Sequence, residues 1–444
     1  MPPPIPDIPQ PTDRARSALN WLEAHSIVPN ERCPIRSSMA GMALSDPFQF
    51  YLSHRLDLVP ALRYSEALSR GSWFHTCVEA FLKDPGTAEL FFNEKMASRR
   101  QELNTICDQV GIQPTSRQPI LDRETHDANT ARSWFFAAAA LPVPGLTGHP
   151  NPATGHVGET FLDYIQRPYW SIPQLNGHAA TELTIGLWEN GHLLVAKPDL
   201  LLHHRDQNTL WLVDFKTTGL LPRVRAQSCP FDFQTRHYLY IVHQRLRERF
   251  LQERLNLPAN VRLGGMIHWI VQKPPLKFGS TDRPYRMVDV TPTRGPNRGI
   301  TRQEKEFTGE EPSTDNYVRR IHSWYSATGE YTHEAQERLT NPPIDLSFTY
   351  WRPESDGSVD RELLSEYNWV KDRITQFAGC APFPCLFPRT GQSLVPRFDE
   401  ENPYAPLHFA EPRDWPTLIQ TAKLLVHRRD PRLHEARSHT LLEN

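Results

Sequence analysis

The sequence lacks most of the features that would assign it to a membrane or to a disulfide-stabilised secreted class. Six cysteines in 444 residues are too few for the dense disulfide framework of small secreted domains. No apolar run approaches the roughly 18 residues of a transmembrane helix, and no segment has the layout of a signal peptide. The formal net charge is −2, so no global basic field would attract polyanions. A G-x-x-x-x-G-K-[ST] loop is also missing, which excludes a P-loop motor.

Proline, by contrast, is abundant and divides the chain. Its 41 residues are about twice the average share, and they concentrate at the amino terminus, around residues 142–153 and in the carboxy-terminal third. The first cluster predicts a flexible arm at residues 1–15. The other predicted parts are a mainly helical region at 16–140, a loop at 141–158, an αβ core at 159–275 and a carboxy-terminal extension of unknown role at 276–444. Within that extension we expect a long loop at 276–310 and a helix at 415–427.

Residues 191–218 are the most informative stretch of the chain. Two apolar runs, Leu193–Leu202 and Leu210–Phe215, are separated by the polar turn Arg205–Asn208, and this pattern predicts two paired strands. The first run carries Asp199 and the second carries Asp214. Pairing of the two strands would bring both carboxylates to the same end of the sheet.

A lysine completes this charged group. Side chains alternate along a strand, so Asp214 and Lys216 point to the same face, roughly 6–7 Å apart. Two carboxylates with a neighbouring ammonium group suit a divalent cation such as Mg²⁺, which prefers oxygen ligands and retains water. A cation bound in this way activates water for hydrolysis of a phosphodiester. The alternative is a half-buried hairpin whose charges form a structural ion pair.

Four short motifs occur in an order that is typical of one enzyme family. They are Gly71-Ser72-Trp73-Phe74-His75, Pro198-Asp199, Asp214-Phe215-Lys216-Thr217 and Gln234-Thr235-Arg236-His237-Tyr238. Together they resemble the PD-(D/E)XK nuclease superfamily, and more narrowly its RecB-like branch, over roughly residues 40–275. The resemblance implies an α/β fold in which a restriction-endonuclease-like mixed β-sheet core is flanked by helices. A helical amino-terminal region and an irregular carboxy-terminal extension would complete it.

The resemblance also assigns roles to the motif residues. It implies that Asp199 and Asp214 bind Mg²⁺ or Mn²⁺. His75 and the carbonyl of Phe215 would join them as ligands. Lys216 would position the attacking water.

Two candidate residues lie far from the hairpin in sequence. His75 follows the point where an amphipathic helix is predicted to begin at Trp73, after a cap at Ser72. Its imidazole suits Mn²⁺ better than Mg²⁺. Glu182 lies in Ala180–Ile185, which is predicted to be the strand before the hairpin. It is either a further catalytic acid near the metal or an edge-strand glutamate that faces solvent.

DNA contacts are expected from the helix that follows the hairpin. Gln234 and Tyr238 lie four residues apart and share one helix face, and in the family such residues help to place the DNA strand. Arg223, Arg225 and Arg236 add local positive charge around the motifs. Without the resemblance, the same spacing would indicate an ordinary amphipathic helix.

Some RecB-like nucleases carry a four-cysteine iron–sulfur cluster, and the cysteines of this chain argue against one. Where those relatives have Cys-Pro followed by aromatic residues, this chain has Asp46-Pro47. The carboxy-terminal region holds only Cys380 and Cys385, and Cys33 would bring the thiolates to three instead of the usual four. We therefore expect no iron–sulfur cluster.

The predicted function is that of a metal-dependent DNA nuclease, and specifically an exonuclease of DNA repair, recombination or phage replication. The alternatives are a restriction- or defence-type endonuclease with the same chemistry and a non-catalytic DNA-binding relative. The expected partners are DNA and either a second copy of the chain or a recombination or helicase protein, with no membrane. The expected location is the cytoplasm of a bacterial or phage-infected cell, since no export signal is recognised.

Overall fold

The computed structural model describes residues 20, 22–24, 33–61, 65–144, 146, 159–292, 294, 296, 300–308, 311–351, 361–380, 387, 402, 404–422, 424–426 and 440–441. The arm predicted for residues 1–15 and most of the loop predicted for 141–158 lie outside these residues. Within the described part of the chain, no helix is both long and apolar enough to cross a membrane.

Helices and strands alternate along the chain. The strands are β1 (Ile35–Arg36), β2 (Leu58–Pro60), β3 (Trp170–Ser171), β4 (Gln174–Leu175), β5 (His178–Ala179), β6 (Thr184–Glu189), β7 (His192–Ala196), β8 (Leu200–His204), β9 (Thr209–Thr218), β10 (Arg262–Gln272), β11 (Tyr285–Val290), β12 (Arg302–Phe307), β13 (Ile344–Tyr350), β14 (Leu424–Val426) and β15 (Thr440–Leu441). The α-helices are α1 (Met39–Ser45), α2 (Pro47–Phe50), α3 (Glu66–Lys83), α4 (Ala88–Gln109), α5 (Gln118–Ala139), α6 (Phe161–Ile165), α7 (Pro222–Ser228), α8 (Phe233–Arg247), α9 (Phe250–Arg254), α10 (Thr314–Ser326), α11 (Ala335–Thr340), α12 (Arg361–Gly379), α13 (Ala405–Phe409) and α14 (Trp415–Thr421). A π-helical turn spans Tyr51–Arg55, and 3₁₀ turns span Pro114–Ser116, Cys229–Phe231, Ser280–Asp282, Gly329–Glu334 and Pro412–Asp414.

A mixed five-stranded sheet with the order β13-β10-β9-β8-β3 forms the centre of the fold. β9 pairs in parallel with β10 and antiparallel with β8, and β13 pairs antiparallel with β10. The parallel pair is joined by α7, α8 and α9, because parallel strands need a long crossover connection. A second mixed sheet has the order β1-β7-β6-β15. The predicted α/β class, a mixed sheet flanked by helices, is confirmed.

Side chains of β9 alternate between two hydrophobic cores, as the two-residue period of a pleated strand requires. Leu210 and Leu212 join a first core, which α8 covers. The odd-numbered residues of 211–215 join a second core, which α3 and α5 cover. Asp214 and Lys216 have the parity of the first set. The sequence of β9 therefore directs both charged side chains to the face on which α8 lies.

The carboxy-terminal extension contributes to the first core through residues such as Phe377 and Leu441. Arg55, which is 0% exposed, donates hydrogen bonds to the carbonyls of Phe377, Ala378 and Cys380 where α12 ends. A buried guanidinium requires such acceptors, because an unpaired buried charge is costly. The same bonds satisfy carbonyls that the end of a helix leaves open.

Three sequence predictions about these elements were wrong. Residues 276–310 contain the hairpin of β11 and β12, and its alternation was missed because β11 has no buried face. The run 193–202 is split between two sheets, since Pro198 has no N–H with which to continue a strand ladder. The helix predicted at 415–427 ends at Thr421 and is followed by β14, which pairs with β2.

Candidate active site

At the open end of the β8–β9 hairpin, β9 extends farther than β8. The side chain of Asp199 lies beside the part of β9 with which β8 does not pair. β8 begins at Leu200, which pairs with Val213, whereas β9 continues to Thr218. Beyond the end of β8, the N–H of Phe215 donates to the Oδ2 atom of Asp199 at 2.6 Å. A backbone donor of this kind fixes the orientation of a carboxylate. Asp199 is 9% exposed, so this anchored group lies just below the surface.

Glu182 lies beside Asp199 because their backbones are hydrogen-bonded. The N–H of Glu182 donates to the Asp199 carbonyl at 2.9 Å, and the φ of Glu182 is +53°. A left-handed conformation is uncommon for a residue other than glycine, and such residues cluster at functional sites. The residue forms a bend before β6, so the prediction that it lies within a strand was wrong. Its carboxylate pairs with the ammonium group of Lys197.

Helix α3 brings His75 to the same end of the sheet. The Nδ1 atom of His75 lies 3.1 Å from the Oδ1 atom of Asp199, although the two residues are 124 positions apart. The imidazole also meets the ring of Phe215 edge-on, with the centroids 6.1 Å apart. The sheet and the helix therefore converge on Asp199 from two directions.

The start of this helix was predicted incorrectly. α3 begins at Glu66 instead of Trp73, so Ser72 lies inside the helix and is not its cap. The helix continues through Gly71 because an isolated glycine costs a helix only about 1 kcal/mol. A Cβ atom at Gly71 would lie 3.5 Å from the Oγ1 atom of Thr217, which is ordinary van der Waals contact. The glycine of the motif is therefore not required here for space.

Three side chains form a group that could hold a metal ion. One ligand atom from each of His75, Glu182 and Asp199 lies within 4.8 Å of the others. Burial raises the pKa of Asp199 to about 6, and nearby Asp214 and Glu182 act in the same direction against His75. Burial acts to lower the pKa of His75, but the attraction of Asp199 outweighs it and raises the pKa to about 9. The raised pKa of His75 is that of a pocket in which carboxylates surround the imidazole, and such a field favours a cation.

A second polar group lies next to the first and is closed by mutual contacts. The Nζ atom of Lys216 lies 2.8 Å from the Oδ2 atom of Asp214 and donates to the Oε1 atom of Gln234 at 2.6 Å. The Nε2 atom of Gln234 donates in turn to the Oδ1 atom of Asp214 at 2.8 Å. Asp214 is 2% exposed, whereas the side chain of Lys216 is 21% exposed. The contacts hold one ammonium group in a fixed place while leaving it partly accessible.

Tyr238 lies behind this group and not on the surface. Its side chain is buried in the first core, and its hydroxyl interacts with Ser37 and Gln234. Burial raises the pKa of Tyr238 to about 12, so the phenol stays protonated near neutral pH. Gln234 and Tyr238 thus lie on the same face of α8. Gln234 reaches the site, and Tyr238 supports Gln234 from behind.

The three predicted basic residues have different surroundings. Arg223 is exposed on α7. Arg225 lies 2.5 Å from the carboxylate of Asp232, and Arg236 pairs with Glu366 of α12. Two of the three guanidinium groups are therefore already engaged with carboxylates of the protein itself.

Two residues of the site were not predicted. Lys197 directly precedes the Pro198-Asp199 motif, and this position was the only signal that the sequence offered. His268 is opposite Asp214 in the register of β10 and β9, and its Nε2 atom lies 3.2 Å from the Oγ1 atom of Thr235. Burial lowers the pKa of His268 to about 4, so the imidazole is neutral at neutral pH. Nothing in the apolar sequence of β10 distinguishes this histidine from a core residue.

The position at which some relatives carry a cluster cysteine has another role in this chain. Asp46 is the N-cap of α2, and its carboxylate accepts the N–H of Gln49 at 2.9 Å. Cys33 and Cys380 are buried thiols, whereas Cys385 lies outside the described residues.

A family model described as the PD-(D/E)XK nuclease superfamily matches residues 43–346, which are 304 of the 444 residues. The chain belongs to this superfamily. The matched range contains every predicted site residue, from His75 to Tyr238, and no curated protein matches the chain. The fold is accordingly restriction-endonuclease-like, as predicted, and membership implies hydrolysis of nucleic acid. Nucleases of this superfamily use divalent metals, and two carboxylates with an imidazole within 4.8 Å fit that requirement.

Proposed function

We propose that this nuclease is a Mg²⁺- or Mn²⁺-dependent deoxyribonuclease of the RecB-like branch, and that it acts as an exonuclease. The observation that carries the branch assignment is the 3.1 Å approach of His75 Nδ1 to Asp199 Oδ1 across 124 residues. In RecB-like nucleases the histidine of G-x-x-x-H is a metal ligand, and the resemblance implies the same role for His75. Membership of the superfamily alone does not require a histidine at this point.

The proposed cation site combines both aspartates with the histidine. Asp199 would bind the cation, with His75 and Glu182 beside it and with Asp214 and the carbonyl of Phe215 completing the ligands. Carboxylate and carbonyl oxygens suit Mg²⁺, and the imidazole adds tolerance for Mn²⁺. When bound, the cation lowers the pKa of a coordinated water and neutralises charge that develops on the phosphate.

Lys216 would perform the second part of the chemistry. Its ammonium group, held by Asp214 and Gln234, can orient the attacking water and stabilise negative charge on the phosphoryl oxygens. Tyr238 would keep Gln234 in place, and exposed Arg223 would bind a DNA phosphate. Arg225 and Arg236, engaged with carboxylates, would add positive potential around the strand.

The branch assignment also supports a setting for the enzyme. We infer a role in DNA repair, recombination or phage replication in a bacterial or phage-infected cell. A second copy of the chain or a helicase or recombination protein would be its partner. The alternative is a restriction- or defence-type endonuclease with the same site. An experiment must distinguish it from the proposed exonuclease.

The test uses end-labelled linear DNA and covalently closed circular DNA with Mg²⁺ or Mn²⁺. We expect the linear DNA to be degraded from its ends, the circles to stay intact, and EDTA to stop the reaction. Protein carrying Lys216→Ala, purified in the same way, controls for contaminating nucleases. Cleavage of the circles would mean that the enzyme is an endonuclease and not an exonuclease. Undiminished cleavage in EDTA would overturn the metal-dependent mechanism.

A further inference from the structure

The hairpin of β11 and β12 stands apart from both large sheets. We call residues 283–308 the arm from here on. It is distinct from the amino-terminal segment predicted at residues 1–15. Its register runs from the pair Tyr285–Phe307 to the pair Val290–Arg302. All of β11 is exposed or half-buried, and Met287 is 50% exposed. An isolated two-stranded hairpin is only marginally stable in water, so a hairpin whose strand β11 has no buried residue fits a surface that something outside the fold covers.

The arm is basic, unlike the chain as a whole. Its basic residues are Arg283, Arg286, Arg294, Arg298, Arg302 and Lys305, and its acidic residues are Asp289, Glu304 and Glu306. Six basic against three acidic residues give +3, whereas the whole chain has a formal charge of −2. Residues 290–303 contain three arginines and no acid. The excess of positive charge is thus greatest, in sequence, where β11 is connected to β12.

Several of these cations are presented to solvent. Arg283, Arg286 and Arg294 are exposed. The side chain of Arg286 is 72% exposed although it lies 2.5 Å from Glu306. An exposed ion pair is worth little, so the pair leaves Arg286 available to a stronger anionic partner.

The root of the arm is held firmly. Asp282, which is 0% exposed, lies 3.2 Å from Arg320 and accepts the N–H of Gly279 at 2.9 Å. Its carbonyl accepts the N–H of Ser313 at 2.8 Å. A buried carboxylate held by Arg320 and Gly279 thus anchors the base of a hairpin whose strand β11 is exposed or half-buried.

The root also begins at the catalytic end of the sheet. Lys216 of β9 is opposite Ile270 of β10. Just beyond, the N–H of Lys273 donates to the carbonyl of Thr218 at 2.7 Å, and its ammonium group donates to the carbonyl of Ala67 at 3.1 Å. Ala67 is in the first turn of α3, about 12 Å along that helix from His75. After β10, the chain therefore runs toward the arm from a point next to β9 and α3, which carry residues of the site.

We propose that the arm binds the phosphate backbone of duplex DNA as the strand to be cut enters the site. The proposal rests on the nuclease function proposed above, since it identifies how that substrate is held. Arginines along a β-ribbon supply sequence-independent phosphate contacts, and a two-stranded β-ribbon fits the major groove of B-DNA. The overall charge of −2 makes such a local patch necessary for binding DNA.

The test measures binding of a labelled DNA duplex in EDTA, where no cleavage occurs, over a series of salt concentrations. The variant combines Arg283→Gln, Arg286→Gln and Arg294→Gln, which remove charge from exposed positions and keep the polar stems. We expect at least tenfold weaker binding at low salt. The plot of log affinity against log salt should become less steep by about 2–3, since each phosphate contact contributes about 0.9.

A matched triple variant supplies the control. Arg247→Gln, Arg254→Gln and Arg262→Gln remove three exposed arginines near the other end of β10, at the ends of α8 and α9 and at the strand's first residue. This variant should bind DNA nearly as the unaltered protein does. The proposal is overturned if the arm variant keeps the salt slope of the unaltered protein, or if both triple variants lose the same amount.

A small chromogenic phosphodiester separates this proposal from the nuclease function. The arm variant should hydrolyse it as fast as the unaltered protein, because such a substrate is too short to reach the arm. Loss of that turnover in the arm variant would overturn the proposed binding role. If the unaltered protein hydrolyses neither DNA nor the small diester but still binds DNA through the arm, the nuclease proposal fails, and the arm is a DNA-binding surface that delivers no strand for cleavage.

Discussion

The two polar groups of the site are assembled over very different distances along the chain. His75, Glu182 and Asp199 come from a helix, a bend and a strand end, and the contact between the first and last spans 124 residues. Asp214, Lys216 and Gln234 come from one strand and the next long helix, and their longest contact spans 20 residues. One group depends on the whole fold, whereas the other depends on one β–α connection.

This difference corresponds to a difference in chemistry. The first group has an excess of carboxylates, which raises the pKa of His75 to about 9. The second group pairs one carboxylate with one ammonium group, and hydrogen bonds join both to Gln234. We therefore expect the first group, with Asp214 as a further ligand, to bind the cation, and Lys216 and Gln234 to act on the water and phosphate. The two roles should be separable by mutation.

The largest separation is expected for Lys216→Ala. Loss of the ammonium group should lower single-turnover cleavage of labelled DNA about 10²–10³-fold, because one positioned stabiliser of transition-state charge is worth this order. Binding of Mn²⁺, measured by calorimetry, should stay unchanged. Lys197→Ala is the matched control in the other group, and it should alter cleavage only a few-fold. Cleavage by Lys216→Ala within tenfold of the unaltered rate would remove Lys216 from the chemistry.

An intermediate effect is expected for His75→Ala. One ligand of the first group disappears while its carboxylates remain, so Mn²⁺ affinity should fall at least about 10–100-fold, because loss of even an outer-shell partner of a metal ligand costs this much. The cleavage rate should recover in part at high Mn²⁺. His333→Ala, which removes an exposed histidine, should change neither quantity. If His75→Ala bound Mn²⁺ normally, the imidazole would be structural and the RecB-like assignment would lose its support.

The smallest effect is expected for Gln234→Ala. The variant frees the ammonium group of Lys216 to move but deletes no charge, so cleavage should fall about tenfold with unchanged Mn²⁺ affinity. Gln244→Ala, farther along α8, is the control and should have no effect. If Gln234→Ala lost as much Mn²⁺ affinity as His75→Ala, the two polar groups would not have separate roles, and both would bind the cation.

The local group was predictable because its geometry follows from one period. Alternation along β9 directs Asp214 and Lys216 to one face, and helical spacing brings Gln234 and Tyr238 to one side of α8. These features depend on residues within one connection, so pattern alone can find them.

The distant group was predictable only through the resemblance. Nothing local to His75 indicates that α3 ends beside Asp199, and the cap inferred at Ser72 was wrong because α3 begins at Glu66. The left-handed bend at Glu182 depends on its backbone bond to Asp199, which exists only in the fold. The hairpin of β11 and β12 was missed for a different reason, since burial patterns cannot reveal a strand that has no buried face.

The central claim is that the cation is held by the group around Asp199, and Asp199→Asn tests it most directly. The amide oxygen can still accept the N–H of Phe215, so the fold should be kept while one negative charge is removed. Asp206→Asn is the control, because it removes an exposed aspartate from the turn of the same hairpin. Calorimetry should show that Asp199→Asn no longer binds Mn²⁺ measurably, whereas Asp206→Asn and Lys216→Ala bind it as the unaltered protein does. Binding of Mn²⁺ by Asp199→Asn with unaltered affinity would contradict the account.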